Sequence, residues 1–397
     1  MDTQHTTAPV LHLNSRYANT PKKELLDIMV HRPLEFTQEH FQALVEKSGE
    51  EAVTFEELRD NLRRIYDINE STTHTPANGS KGLLGWLTRS KQAKREKKFY
   101  SRIKADQRFN VDSKTVVAEG DSWFCFPYHL RDVNDWLVEN PAINLYSTAA
   151  AGDWLSNIVY EGKYIEQLSL IEPDVFMISA GGNDFVGNLR LSYMLNKPEL
   201  HINHDTELHV EKLINDRFHA LLWTLKTQYW MLVDGLNKSH KFEDMLVITH
   251  GYDYVLPNKE RVQNWSSPIQ AIMNLLSDTG DWLSEPLLLK GISNEKTQKE
   301  VMRYIVDKVN EMFIELAEYR NADGTFRFPN LFHIDARNVA QGKEEWFDEI
   351  HMKSKGYRIM AQAYEEVIFR KLKPEQKVVK AAELRLVSFA SMGVRKY

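Results

Sequence analysis

One cysteine, Cys125, stands among 397 residues. A lone thiol excludes an internal disulfide and a thiolate zinc cluster, and it suits a reducing compartment without requiring one. Long apolar runs are missing too. No stretch approaches the roughly 20 residues that cross a bilayer as a helix, and the opening MDTQHTTAPVLHLNSRYANTPKK has no apolar core behind a basic start. The cytoplasm is the default expectation, with export by a route that reads no N-terminal signal left open. Charge of one sign is not in large excess either. A formal net charge of -6 argues against non-specific nucleic-acid binding as the main task. What the chain does have is 42% hydrophobic residues, enough for a sizeable core, and a length that suggests one large domain with a smaller one attached.

The smaller part comes first. Residues 1–80 read as a helical unit and linker. Thr20 is placed to cap a helix with Pro21 at its first position, a second helix is expected over Thr37 to Lys47, and Thr54 with Glu57 has capping-box spacing ahead of a third that runs to Tyr66. Residues 71–81 are turn-rich. A connecting segment, 81–111, pairs apolar Leu83, Leu84, Trp86 and Leu87 with basic Lys91, Lys94, Arg95, Lys97, Lys98, Arg102 and Lys104. Such a pairing within 82–104 permits peripheral contact with an anionic membrane. A connecting helix docked on the neighbouring domain is the preferred reading, because the apolar part is only about two turns long.

From 112 to 372 buried-strand runs alternate with helical spacing, the pattern of a parallel α/β sheet. Four of these runs end in residues that carry chemistry. Val116 to Ala118 leads through Gly120 and Asp121 to Ser122. Gly-Asp-Ser is common in plain turns, but at the carboxyl edge of a strand it is also where an α/β enzyme sets a nucleophile. The short run Ile143 to Tyr146 precedes Gly152, where a backbone N–H can approach a ligand unobstructed. The run Asp174 to Ala180 is closed by Gly181 and Gly182 and followed by Asn183 and Asp184; an amide there either caps a turn or donates into the cleft. After the strand Leu331 to Ile334 come Asp348 and His351, three apart, so that a carboxylate can orient an imidazole and leave its second nitrogen free as a base.

The remainder is scaffold and insertions, at about 188–244 and 256–298. A long helix fits 207–235, another strand Met245 to Thr249, an amphipathic helix 299–319 and a final helix Ser354 to Leu372. The insertion with Trp265 and Trp282 is a candidate wall or lid of the cleft. His201, His204 and His209 match no common metal-ligand spacing, so no metal is expected. Residues 373–397 form a tail whose KVVKAAELRLV suits a terminal helix or an edge strand equally.

Taken together, Gly120-Asp121-Ser122, Gly152, Gly181-Gly182-Asn183-Asp184 and Asp348-Glu349-Ile350-His351 resemble, in order and spacing, the four blocks of the SGNH hydrolase superfamily, also called the GDSL lipase/esterase family. Trp123 stands where the family's name has leucine. The resemblance implies a three-layer α/β/α sandwich around a parallel sheet. It implies Ser122 as nucleophile, His351 as base, Asp348 as orienter, and an oxyanion hole from Ser122, Gly152 and Asn183. Asp121, Trp123 and Asp184 are candidates for binding substrate. No metal or organic cofactor is implied. The substrate expected is an ester of a lipid, an acylated small molecule or a glycan, so that lipase, phospholipase or carboxylesterase stands first, with carbohydrate O-acetyl esterase or a catalytically idle binding module of the same fold as alternatives. Trp123, Phe124, Phe126 and Tyr128 either line an acyl pocket or form the buried side of the segment after the nucleophile.

Overall fold

A computed structural model describes residues 16–32, 35–48, 79–109, 112–126, 130–198, 209–257, 282–373 and 375–385. Its centre is one sheet of six strands, β1 (Lys114–Gly120), β2 (Ile143–Ser147), β3 (Val175–Ser179), β4 (Leu246–His250), β5 (Leu331–Asp335) and β6 (Val378–Lys380). Their order is β2-β1-β3-β4-β5-β6 and every pairing is parallel. The strand sequences explain this. VFMIS and LVITH are buried at every position, as strands must be when helices cover both faces.

Helices α1 (Lys22–His31), α2 (Gln38–Ser48) and α3 (Gly79–Phe109) precede the sheet. Between and after the strands lie α4 (Val133–Leu137), α5 (Leu155–Glu161), α6 (Lys163–Ile171), α7 (Gly182–Val186), α8 (Arg190–Tyr193), α9 (Asp216–Lys238), α10 (Ser284–Leu289), α11 (Glu295–Ala317) and α12 (Ser354–Ile368). Helices cover both faces of the sheet, giving the α/β/α sandwich. α12 packs with α4, while α9 packs with α5 and α11. Leu25, Met29, Phe36, Phe41 and Leu44 join the same core cluster as the strands, and Phe41 meets Trp223 and Trp230 of α9 at ring distances of 5.4 and 5.8 Å.

Several boundaries differ from those read off the spacing, and caps account for most. The helix expected through Leu130 opens only at Val133, because Asp132 forms a reciprocal capping box with Asp135. The long helix expected from 207 opens at Asp216, where Asn215 accepts the Arg217 N–H; Val210–Leu213 is a separate 3-10 turn. The helix expected from 299 starts at Glu295 under an Asn294 cap. At the other end α12 stops at Ile368, with Arg370 left-handed at φ 49°. Of the tail, Val378–Lys380 adds the edge strand β6 and Ala381–Glu383 a 3-10 turn, and 386–397 lie outside the described residues. The helix expected at Thr54, together with His201, His204, Trp265 and Tyr128, lies outside the described residues; His209 is exposed. No described helix is long and apolar enough to cross a membrane.

Candidate active site

In a parallel sheet the loops at the carboxyl ends of the strands meet in a crevice where the strand order reverses. Here the order reverses at β1, which has β2 on one side and β3 on the other. Consequently Gly152, Ser122 and Asn183, which follow those three strands, are delivered side by side. Gly120 ends β1 at φ +151°, and a Cβ there would sit 2.2 Å from the Ser179 carbonyl oxygen. Only glycine allows the nucleophile turn to leave the sheet so close to β3. The turn then closes on itself, with the N–H groups of Phe124 and Cys125 donating to Asp121 O at 3.2 and 3.0 Å.

Ser122 is half-buried, and its Oγ lies 2.7 Å from His351 Nε2. On the far side of the ring, His351 Nδ1 lies 2.8 and 3.0 Å from the two carboxylate oxygens of Asp348. Asp348 is itself held by the backbone N–H groups of Ile350 and His351, at 2.9 and 2.7 Å. Both His351 and Asp348 are 4% exposed. The carboxylate therefore favours the tautomer with the proton on Nδ1, leaving Nε2 to accept from Ser122 Oγ. Phe126 meets the imidazole edge-on at 4.8 Å and Trp282 at 5.8 Å. Serine, imidazole and carboxylate in this chain, 229 residues apart in sequence at the serine–histidine step, can pass a proton from the hydroxyl to the ring while the carboxylate stabilises the charge that forms.

The segment carrying Gly152 is laced to β1 and to the turn after β3. Thr148 N–H donates to Ala118 O and Ala150 N–H to Gly120 O, at 2.9 and 2.7 Å. Asn183 Nδ2 donates to Asp153 O at 2.9 Å, and Asp184 accepts the Leu155 N–H at 3.0 Å. Gly152 itself, at φ +81°, has no atom within 4 Å of where a Cβ would stand. One hydrogen of the Asn183 amide is thus used for holding the loop, and the second is left to the cleft. Two buried carboxylates, Glu119 and Asp184, and the half-buried Asp153 surround this loop. Burial raises Glu119 to about 8, Asp184 to about 7 and Asp153 to about 6.

Ser122 and Asn183 line one small cavity, which gives water-sized groups about 60 Å³ for their centres. Trp123 and Tyr252 contribute rings to it, and α11 a stripe of Met302, Ile305, Val306 and Val309. Of the residues expected to bind substrate, Trp123 therefore faces the cavity. Asp121 lines it too, although at 2% exposure its carboxylate is taken up by the framework, and Asp184, 1% exposed, is not among the lining residues. Asp121 accepts from Trp123 N at 2.9 Å, Ser179 Oγ at 3.0 Å and Tyr252 Oη at 2.7 Å. Phe124 and Phe126 are buried, the first against His250 and Tyr364, the second against Phe347 and His351.

Three supports were not foreseen from the spacing. Tyr252, after β4, donates to Asp121 and accepts the Gly182 N–H at 2.9 Å, tying the serine turn to the asparagine turn. Glu349, inside the Asp348 to His351 turn, accepts the Leu283 and Ser284 N–H groups at 2.8 and 3.1 Å and so anchors the N-terminus of α10. The third is α3. Arg95 is buried and donates to Phe124 O, Asp132 and Asp135 at 2.6 to 2.7 Å. Lys91 reaches Phe126 O, and Gln92 donates to Thr148 O and Ala149 O. The docked-helix reading of this segment fits these contacts, which leave Lys94, Lys97, Lys98 and Lys104 exposed. For Tyr252 and Glu349 the only signal was a polar group at a strand end or inside a motif; for α3 it was basic residues at helical spacing.

Two of the solved structures that the chain is similar to are an esterase and a lipase. An acetylxylan esterase from Geobacillus stearothermophilus matches at 12% identity and a TM-score of 0.30, over 64% of this chain and 94% of that one. An extracellular lipase from Streptomyces rimosus matches at 16% identity and a TM-score of 0.32, over 62% and 97%. No curated protein matches. The family comparison is of another kind: the model of the GDSL-like lipase/acylhydrolase family matches residues 129–364, which include Gly152, Asn183, Asp348 and His351 and begin just after the serine turn. With more than half of its length so matched, the chain belongs to the GDSL-like lipase/acylhydrolase family and is a carboxylic ester hydrolase.

Proposed function

We propose that the chain hydrolyses carboxylic esters through an acyl-enzyme on Ser122, with His351 as general base and acid and Asp348 as its orienter. The observation that carries this reading is the continuous contact from Ser122 Oγ to His351 Nε2 at 2.7 Å and from Nδ1 to Asp348 at 2.8 Å. In the first half, Nε2 takes the hydroxyl proton as Oγ attacks the ester carbonyl, and the carbonyl oxygen becomes an oxyanion. The backbone N–H groups of Ser122 and Gly152 and the free amide hydrogen of Asn183 donate to it, each worth on the order of 100 to 1,000-fold in rate. The C–O bond to the alcohol then breaks, and the alcohol leaves with the proton from Nε2. In the second half, water gives its proton to Nε2, attacks the acyl carbon, and Ser122 Oγ departs with that proton, freeing the acid.

The substrate favoured is a lipid or small carboxylester. The test is hydrolysis of p-nitrophenyl esters by wild type and Ser122→Ala, with fluorophosphonate labelling alongside. Turnover lost in the variant, with label on Ser122 of wild type, supports the reading. Equal turnover in the two proteins would take the chemistry away from Ser122, and a wild type that neither turns over esters nor takes the label would leave an idle binding module.

A further inference from the structure

The cavity beside Ser122 reaches from the nucleophile turn to α11. Its walls away from the serine are Phe185, Val255, Met302, Ile305, Val306 and Val309. The last four recur at i, i+3, i+4 and i+7, one face of a helix, and all four are at most 5% exposed. An apolar recess whose mouth holds a nucleophile and an amide donor suits a ligand with a carbonyl at one end and a hydrocarbon chain at the other. We infer, building on the ester-hydrolase reading, that this recess is an acyl pocket and that α11 sets the length of acyl chain the enzyme prefers.

The recess is small, with about 60 Å³ open to the centres of water-sized groups, so it takes a short hydrocarbon chain and leaves room beyond an acetyl group. Each methylene that enters should raise kcat/KM roughly fourfold, until the chain meets the α11 wall. The serine, the amide and the wall come from β1, β3 and α11, so filling the recess leaves the hydrogen bonds of the triad untouched.

The experiment is the acyl-length profile of kcat/KM on p-nitrophenyl acetate, butanoate, hexanoate, octanoate, dodecanoate and hexadecanoate, for wild type, Val306→Phe and Met302→Ala, each of the full chain. Wild type should rise from acetate to an optimum between butanoate and octanoate and fall at dodecanoate and hexadecanoate. Val306→Phe fills the recess and should lower the octanoate-to-acetate ratio by about tenfold or more. Met302→Ala enlarges it and should move the maximum to longer chains. A wild-type optimum at acetate, or both variants keeping the wild-type profile, overturns the acyl pocket while acetate turnover and fluorophosphonate labelling of Ser122 still uphold the hydrolase. No turnover and no labelling would overturn both. Should Val306→Phe fail to fold by circular dichroism, the wild-type profile and Met302→Ala, which changes volume in the opposite sense, decide.

Discussion

Two long helices reach the cleft with opposite chemistry. Helix α3 meets it through charged and amide groups: Arg95 and Lys91 hold the carbonyls that follow Ser122, and Gln92 holds those before Gly152. Helix α11 meets it through Met302, Ile305, Val306 and Val309 and makes its contribution as a wall. The difference separates two requirements of one site. Loops at strand ends carry backbone groups that must be placed within tenths of an ångström, and directional hydrogen bonds do that. A pocket for hydrocarbon needs only shape and the exclusion of water. The family match begins at 129, so α3 lies outside it while α11 lies inside.

The strongest way to break the comparison is to remove the group both helices serve. Ser122→Ala should lower kcat by about 10⁴ to 10⁶, as loss of a triad nucleophile does, with the melting temperature little changed; an active variant would make both helices irrelevant to catalysis. Next is Arg95→Ala. Asp132 is fully buried and bonds Lys91, Arg95 and the Phe126 N–H, so stripping Arg95 leaves charge with one partner fewer and should cost about 3 to 5 kcal/mol. Denaturant titration measures that. If α3 positions the loops, kcat falls while KM holds, and Arg95→Lys recovers part of it; a loss of stability alone would reduce α3 to packing.

Asn183→Ala comes third, with kcat down about 100 to 1,000-fold and the acyl-length profile unaltered in shape. A changed profile would mean that the amide helps to set chain length and that the polar and apolar sides are not separable. Tyr252→Phe should be milder. It leaves one Asp121 oxygen and the Gly182 N–H unpaired, about 1 to 3 kcal/mol of stability, read from the melting temperature, with a smaller kcat loss than Asn183→Ala.

The effect with least bearing on the two helices is one of pH. Glu119, Asp184 and Asp153 are raised by burial to about 8, 7 and 6, against 4.5 for an ordinary glutamate and 3.8 for an ordinary aspartate. Between those ordinary values and the raised ones the unfolded chain binds fewer protons than the folded one, so stability falls as pH rises. What these groups contribute is complete below about pH 4 and is lost progressively through pH 6, 7 and 8. The melting temperature should therefore drop from pH 5 to pH 8.5, and Glu119→Gln should flatten the slope. An unchanged slope in that variant would remove Glu119 from the account.

Much of this site was visible in the spacing of residues. Ser122, Gly152, Asn183, Asp348 and His351 each follow an apolar run, and a parallel sheet gathers such strand ends into one crevice. What the Asp121 and Asp184 carboxylates bond was not legible, because nothing local tells a carboxylate that faces substrate from one that accepts Ser179 Oγ or the Leu155 N–H. Tyr252 was invisible for a related cause: its partners are 131 residues and 70 residues away in the chain. Helix boundaries moved to Asp132, Asn215 and Asn294 because capping depends on which of several polar residues finds a free N–H.

Order along the chain determined the fold class and the residues that meet at the cleft, since strand runs of period-free apolar residues can only be buried between helices, and their ends then converge. Which helix walls the cleft, and which braces it, only the tertiary structure decided. Aliphatic stripes at 3.6-residue spacing and basic residues on a helix look alike wherever they dock, and the surface they meet is assembled from segments far apart in sequence.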